Sequence, residues 1–161
     1  DLEASAAIVL LAGCSNPMDI IMPAHYEEPP PDQKPTATLT TKASQTNRLT
    51  TWVSLNAEDC SDRRLVAELN VRQSKTVRIP AGRVMAFEGH LFDDWARQQC
   101  DGWASFTPLP DHKYEIFGSV TPGAKICRFW YQDINDVDEP IGVPKDLVSR
   151  EASGTGCRTL P

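Results

Sequence analysis

The sequence predicts a mainly β domain, an antiparallel sandwich of about seven strands with at most one short helix. Three observations predict it. From Thr38 onward, β-branched and aromatic residues fall in short runs, apolar and polar residues alternate within them, and turn residues separate them. The 161 residues, 40% hydrophobic and 24% charged, leave room for one such domain and a tail. A domain of that size buries most of its apolar surface and does not depend on covalent links for its core.

Taken in order, residues 38–41 and 50–55, reading TLTT and TTWVSL, are strands. Leu65, Ala67 and Leu69 alternate and make 64–71 a strand. Val77 and Ile79 lead to a turn at Pro80-Ala81-Gly82. Val84, Ala86 and Glu88 then carry a return strand, with Met85 and Phe87 on its other face. Residues 93–99 are the one stretch that reads as a short helix. Residues 103–106 form a strand and 108–112 a turn. Tyr114, Ile116, Gly118 and Val120 then alternate up to Pro122-Gly123, a second turn. The next strand, 126–131, places Cys127, Phe129 and Tyr131 on one face. Phe129, Trp130 and Tyr131 are consecutive, so they divide between two faces, and Trp130 is expected to meet a second layer or a partner.

Pro108 with Tyr114 at the start of a strand resembles the tyrosine corner of immunoglobulin-like and fibronectin-like sandwiches. The resemblance implies a phenol that ties a crossover loop to the backbone, and a sandwich of immunoglobulin-like or transthyretin-like type.

Residues 6–13, AAIVLLAG, form an uncharged apolar run. It is shorter than the about 20 residues needed to cross a bilayer but suits the apolar core of a secretory signal. Leu11-Ala12-Gly13-Cys14 resembles the bacterial lipobox, in which a branched residue and two small ones precede a cysteine that takes a diacylglycerol. The resemblance implies that 1–13 is a signal peptide removed on maturation, and that lipid on Cys14 joins the protein to the membrane. Lasting attachment takes more than one acyl chain. Such a signal opens with Lys or Arg, whereas this one opens Asp1-Leu2-Glu3, so its N-terminus is expected to be incomplete. Ser15 stands where an aspartate would favour inner-membrane retention, which implies the outer membrane and a periplasm-facing domain. Residues 14–37, with Pro29-Pro30-Pro31 and Pro35, read as the anchor and a proline-rich tether extending roughly 3 Å per residue. Residues 38–161 are then the sandwich. Met18, Ile20, Ile21 and Met22 are apolar for a spacer and offer a docking segment.

Four further cysteines remain, an even number in a chain read as exported, and suggest two disulfides among three connectivities. Cys100–Cys127 is favoured because the pair flanks the strand–turn–strand unit, which leaves Cys60–Cys157. No CxxC occurs, so the cysteines do not read as a metal site.

Chemistry-bearing patterns are sparse. The run DINDVDE holds Asp133, Asn135, Asp136, Asp138 and Glu139 but lacks the spacing and glycine of an EF-hand, so it reads as a solvated acidic loop. Asp133 and Asp136 with Trp130 and Tyr131 make the expected binding surface. His90 with Asp93 and Asp94 is the one candidate for a base with orienting carboxylates, and the bland reading is a surface loop. His112 and His25 have no partner in sequence. No GxSxG, HExxH, P-loop or dinucleotide fingerprint is present, so neither catalysis nor a cofactor is expected. A net charge of −6 argues against nucleic acid.

The stretch from Val77 to Tyr131, with Ala81-Gly82, Cys100 ahead of Phe106-Thr107-Pro108, Tyr114-Glu115 and Cys127, is loosely similar to uncharacterised proteobacterial outer-membrane lipoproteins. The plan of lipidated cysteine, short linker and small sandwich is also similar to assembly lipoproteins of type VI secretion machines. These resemblances imply a non-enzymatic protein that binds an envelope partner. The other reading is a periplasmic ligand-binding or inhibitor module.

Overall fold

The computed structural model describes residues 24–121, 126–135, 142–153 and 156–160. Among the described residues there are ten strands and no helix. They are β1 (Thr36–Lys42), β2 (Arg48–Ser54), β3 (Arg63–Leu69), β4 (Ser74–Pro80), β5 (Met85–Asp93), β6 (Gln98–Phe106), β7 (Lys113–Thr121), β8 (Ile126–Asp133), β9 (Val148–Ser153) and β10 (Gly156–Thr159). A four-stranded sheet in the order β4-β1-β7-β8 packs on a six-stranded sheet in the order β10-β9-β6-β5-β2-β3. β1 and β7 run parallel, and every other strand pairing is antiparallel.

The mainly β sandwich is thus as expected, with more strands than anticipated. β9 and β10, reading VSREAS and GCRT, are polar and largely exposed, so no alternation marks them. The segment read as a short helix is a hairpin loop. Asp93 ends β5 by accepting the amides of Trp95 and Ala96, both at 2.9 Å. Arg97 takes a left-handed φ of 50° before β6 begins. The nine-residue ladder between β5 and β6 outweighs a weak local helical preference. The turn at Pro80-Ala81-Gly82 does not return the chain as a hairpin. It crosses from the four-stranded sheet to the six-stranded one, with Gly82 at φ 82° and its amide on the Pro108 carbonyl at 2.8 Å.

The core lies between the sheets. Phe87 stacks on Phe106 at 4.7 Å between centroids, and Phe106 meets Tyr114 at 4.9 Å. Leu39, Ile79, Met85 and Ile116 close around them, each at most 1% exposed. Farther along, Gly89 on β5 lies opposite Gly102 on β6, and the Phe129 ring rests on both. A Cβ built on either glycine would overlap that ring, at 2.5 Å from Gly89 and 2.3 Å from Gly102. Beyond the ring, the Cys100–Cys127 disulfide joins β6 to β8, hence sheet to sheet. At the far end, buried Asn47 donates to Asp93 at 3.2 Å and accepts the Val120 amide at 3.2 Å, so a polar contact also crosses between the sheets. The second disulfide, Cys60–Cys157, fastens the β2–β3 loop to β10 and packs with Ala86. In the chain-entropy model its 97-residue separation is worth about 4 to 5 kcal/mol.

Residues 24–35, read as tether, lie against the domain instead. Ala24 and Tyr26 flank Leu65 as a short parallel addition to β3, through Leu65 N–H to Ala24 O and Tyr26 N–H to Leu65 O, both 2.8 Å. The Tyr26 hydroxyl then donates to the Arg78 carbonyl at 2.8 Å, and the Glu28 carboxylate accepts the Arg78 amide at 2.5 Å. The Arg78 guanidinium donates to the carbonyls of Pro29 at 2.6 Å and Pro30 at 3.3 Å. A proline run has no amide donors of its own but keeps its carbonyls, and a fork of guanidinium donors collects them. The strap spans one open side of the sandwich, from β3 to β4.

Replacing Gly102 with alanine should cost about 1–3 kcal/mol, because the inserted methyl must displace a ring held between two sheets. Urea denaturation of G102A against the parent chain measures this. An unchanged midpoint would show that the ring moves freely.

Candidate functional site

The strand directions gather the strap, the crossover at Gly82, the β6–β7 loop and the β8–β9 connection at one end of the sandwich. A cavity of about 640 Å³ opens there. Its apolar wall is Leu109, Tyr114, Val143 and Pro144, and its polar groups include His112, Asp133, Asn135, Lys145 and Asp146. His112, in the loop before β7, places Nδ1 2.7 Å from the carboxylate of Asp133 at the end of β8. The other Asp133 oxygen accepts the Asn135 amide at 3.1 Å, and the Asp133 amide donates to Gly142 O at 2.9 Å. Both members of the pair are therefore oriented by their surroundings. Asp146 is held by the Thr107 amide at 2.9 Å.

The floor is set by Tyr114, 2% exposed, whose hydroxyl oxygen accepts the Leu109 amide at 2.8 Å and ties the β6–β7 loop to the strand that follows it. Burial raises that hydroxyl above the ordinary tyrosine range, with the Leu109 hydrogen bond opposing the shift. Among the described residues, no hydroxyl or thiol is hydrogen-bonded to the His112 ring. The pair orients an imidazole at an apolar cavity, an arrangement suited to holding a ligand's polar group.

A second polar cluster lies on the outer face of the six-stranded sheet. Trp52, Glu88 and Trp103 form one cross-strand row over β2, β5 and β6. Arg63 stacks over Trp52 at 3.9 Å and grips Glu88, with Nη2 on Oε1 at 2.8 Å. Its Nε sits 2.6 Å from Oε2 without lining up its N–H, so that oxygen has a charge contact but no good hydrogen bond. Glu88 is 5% exposed. Burial pushes its carboxyl up to about 7, the Arg63 charge opposing and Asp101 adding. His90 pairs with Asp101 on the neighbouring strand. It does not meet Asp93 or Asp94. Asp93 points to the opposite face and closes the hairpin, and Asp94 binds Arg48 at 2.8 Å.

The expected binding surface does not form one patch. Trp130 lies on the outer face of β8, stacked at 5.1 Å on Phe117, its cross-strand neighbour on β7 in the same sheet, and not on a second layer. Tyr131 turns inward, 8% exposed, and its hydroxyl has no hydrogen-bond partner among the described residues. Asp133 joins the cavity, whereas Asp136 and Cys14 lie outside the described residues. Alternation along a strand sends neighbours to opposite faces, so adjacency in sequence was a poor guide here. Sequence reasoning left His112 without a partner. The observed register pairs Thr121 with Ile126 and Tyr114 with Asp133, two residues beyond the partner that a turn at Pro122-Gly123 would give, and so brings His112 beside that carboxylate. Neither a protein-family model nor a curated protein sequence matches this chain. What fold and site define together is an all-β sandwich with one disulfide joining its sheets and a loop-end cavity.

Between about pH 4.5 and 7 the folded chain holds a proton on Glu88 that the unfolded chain has released. Stability therefore falls as pH rises across that window and levels off above it. Thermal melts should show Tm dropping by a few degrees, and Glu88→Gln should flatten that slope. The same slope in the variant would assign the effect to other groups. Tyr114→Phe should lower stability by about 0.5–1.5 kcal/mol through the lost Leu109 bond, read by denaturant unfolding.

Proposed function

We propose that the chain is a non-enzymatic lipoprotein of the bacterial outer membrane, anchored through lipid on Cys14, whose periplasmic sandwich binds another envelope component. One observation carries the reading. Cys60, Cys100, Cys127 and Cys157 are all consumed by two bridges, which leaves Cys14, at the end of Leu11-Ala12-Gly13, as the fifth cysteine. Two bridges suit an oxidising compartment. A single cysteine outside those two bridges, behind an apolar run, suits acylation. With lipid on Cys14, Ala24 would stand at most roughly 35 Å of chain from the membrane anchor.

The test is the intact mass of the protein extracted from membranes in detergent, before and after reduction and alkylation. The expected species begins at Cys14, carries acyl chains, and gains four alkyl groups only after reduction. A chain that keeps 1–13 without lipid would sink the proposal.

The loop-end cavity favours a second reading, a periplasmic ligand-binding module. Thermal shift with peptidoglycan fragments, simple sugars and Ca²⁺ separates the two. A saturable shift that His112→Ala removes supports the binder, and no shift supports the protein-binding role.

A further inference from the structure

The two ends of the sandwich carry different surfaces. At the end that holds the loop-end cavity, exposed Val84, Leu109 and Val143 are set among charges of both signs, on Arg83, Asp111, Lys145 and Asp146. The strand directions bring the β1–β2, β3–β4 and β5–β6 loops to the opposite end, together with the start of β8. There Trp95, at the tip of the β5–β6 hairpin, is 98% exposed. Val71 in the β3–β4 loop and Ile126 at the start of β8 are exposed at the same end. An indole left in water adds nothing to the fold, and tryptophan is on average a highly buried residue. Three apolar side chains at one end, the largest of them bare, mark an interaction surface.

The tips are braced. Asp93 holds the Trp95 and Ala96 amides, and buried Asn47 joins Asp93 to the Val120 amide. The Arg72 amide donates to Ser44 O at 2.8 Å, which ties the β3–β4 loop to the β1–β2 loop. Charge here runs against that of the whole chain, which is −6. Arg72 and Arg97 are exposed, and among the described residues neither side chain has a hydrogen-bond or ion-pair partner. The one exposed carboxylate in loops 43–47, 70–73 and 94–97 is Asp94, and Arg48 binds it at 2.8 Å. Farther back, exposed Glu68 on β3 and Lys75 on β4 cancel in number. The loops thus present bare apolar tips with an uncancelled positive charge beside them.

Shape and charge select what covers this end. The apolar residues sit on separate protrusions, for which a folded partner would need a pocket each, whereas the headgroup layer of a bilayer moulds around them. A tryptophan ring rests at that level with its N–H in the polar layer, and arginines beside it meet lipid phosphates. The bilayer is also within reach of a chain anchored at Cys14. β3 rises only about 14 Å from Leu65, where the strap joins it, to its end at Leu69, and the chain from Cys14 to Ala24 spans up to roughly 35 Å. We propose that this end of the sandwich docks on a bilayer containing anionic phospholipid, with Trp95 in the interface, Val71 and Ile126 flanking it, and Arg72 and Arg97 on the phosphates. The contact is separate from acylation of Cys14 and goes beyond the role proposed above.

The test uses the full chain carrying Cys14→Ser, which takes no lipid, with both disulfides closed. It is mixed with vesicles of phosphatidylethanolamine and phosphatidylglycerol that contain brominated lipid, and tryptophan quenching and co-sedimentation are read together. The chain should be quenched, and Trp95→Phe should remove the quenching although Trp52, Trp103 and Trp130 remain. Trp95→Ser should weaken binding about tenfold or more, the worth of one large apolar side chain, while leaving Tm unchanged at so exposed a position. Arg72→Gln and Arg97→Gln should each weaken it about fivefold, and only on vesicles that contain phosphatidylglycerol. The inference is overturned if the chain is not quenched, or if quenching persists in Trp95→Phe. It is equally overturned if Trp95→Ser binds as the parent does, which would assign attachment to the apolar segments ahead of Ala24, or if vesicles of phosphatidylethanolamine and phosphatidylcholine bind as tightly. The intact-mass result on Cys14 is independent of all these outcomes, so loss of the docking surface and loss of the lipoprotein reading are told apart.

Discussion

One aromatic ring sets the distance between the sheets. Phe129 projects from β8 across the interior and lies on the bare backbone of Gly89 and Gly102, which face each other on adjacent strands. Side chains there would hold the sheets apart or push the ring aside, so the glycines act by what they lack. Gly118, beside Phe129 on β7, is tight for the same reason, with Leu91 2.7 Å from where its Cβ would stand. Two residues before the ring on β8, and two before Gly102 on β6, stand the cysteines of the inter-sheet disulfide. The same two strands thus meet twice, once through packing and once through a covalent bond.

That contact fixes how β8 lies, and with it the His112–Asp133 pair at the loop-end cavity. Asp133 at the end of β8 reaches His112 because the β7–β8 register sets Tyr114 opposite it. Trp130 turns outward onto Phe117 because Phe129 and Tyr131 are committed to the interior. The inward turn of Tyr131 leaves its hydroxyl unpaired, and burial raises that hydroxyl well above the ordinary range, with Glu88 adding to the shift. Both faces of β8 are therefore committed to packing within its eight residues.

Much of this was legible in the sequence, and the reasons for the rest are physical. The strands with alternating apolar residues declared themselves, as did both disulfides and the tie between Tyr114 and the preceding loop. β9 and β10 did not, because they pair at a polar edge where alternation has nothing to report. Residues 93–99 were misleading because a carboxylate, not a periodicity, closes that loop. The proline-rich stretch is neither free nor extended throughout, since the Gln33 amide turns back to the Pro30 carbonyl at 3.0 Å. What holds it is Arg78, some fifty residues away, and no local pattern announces a guanidinium on the far side of a fold. His90 with Asp93 failed for the opposite reason: close in sequence, they stand on opposite faces of one strand.

The strap has a mechanical consequence. A pull on the chain ahead of Ala24 does not act on the sandwich directly. It first strains the two backbone bonds to Leu65, which lie at the margin of the six-stranded sheet and break in succession. It next meets Arg78, whose guanidinium and amide must release three acceptors. Only then does force reach β1, which lies between β4 and β7 and must slide past both at once. Under such a pull residues 24–35 would give way bond by bond ahead of the disulfide-bound sandwich.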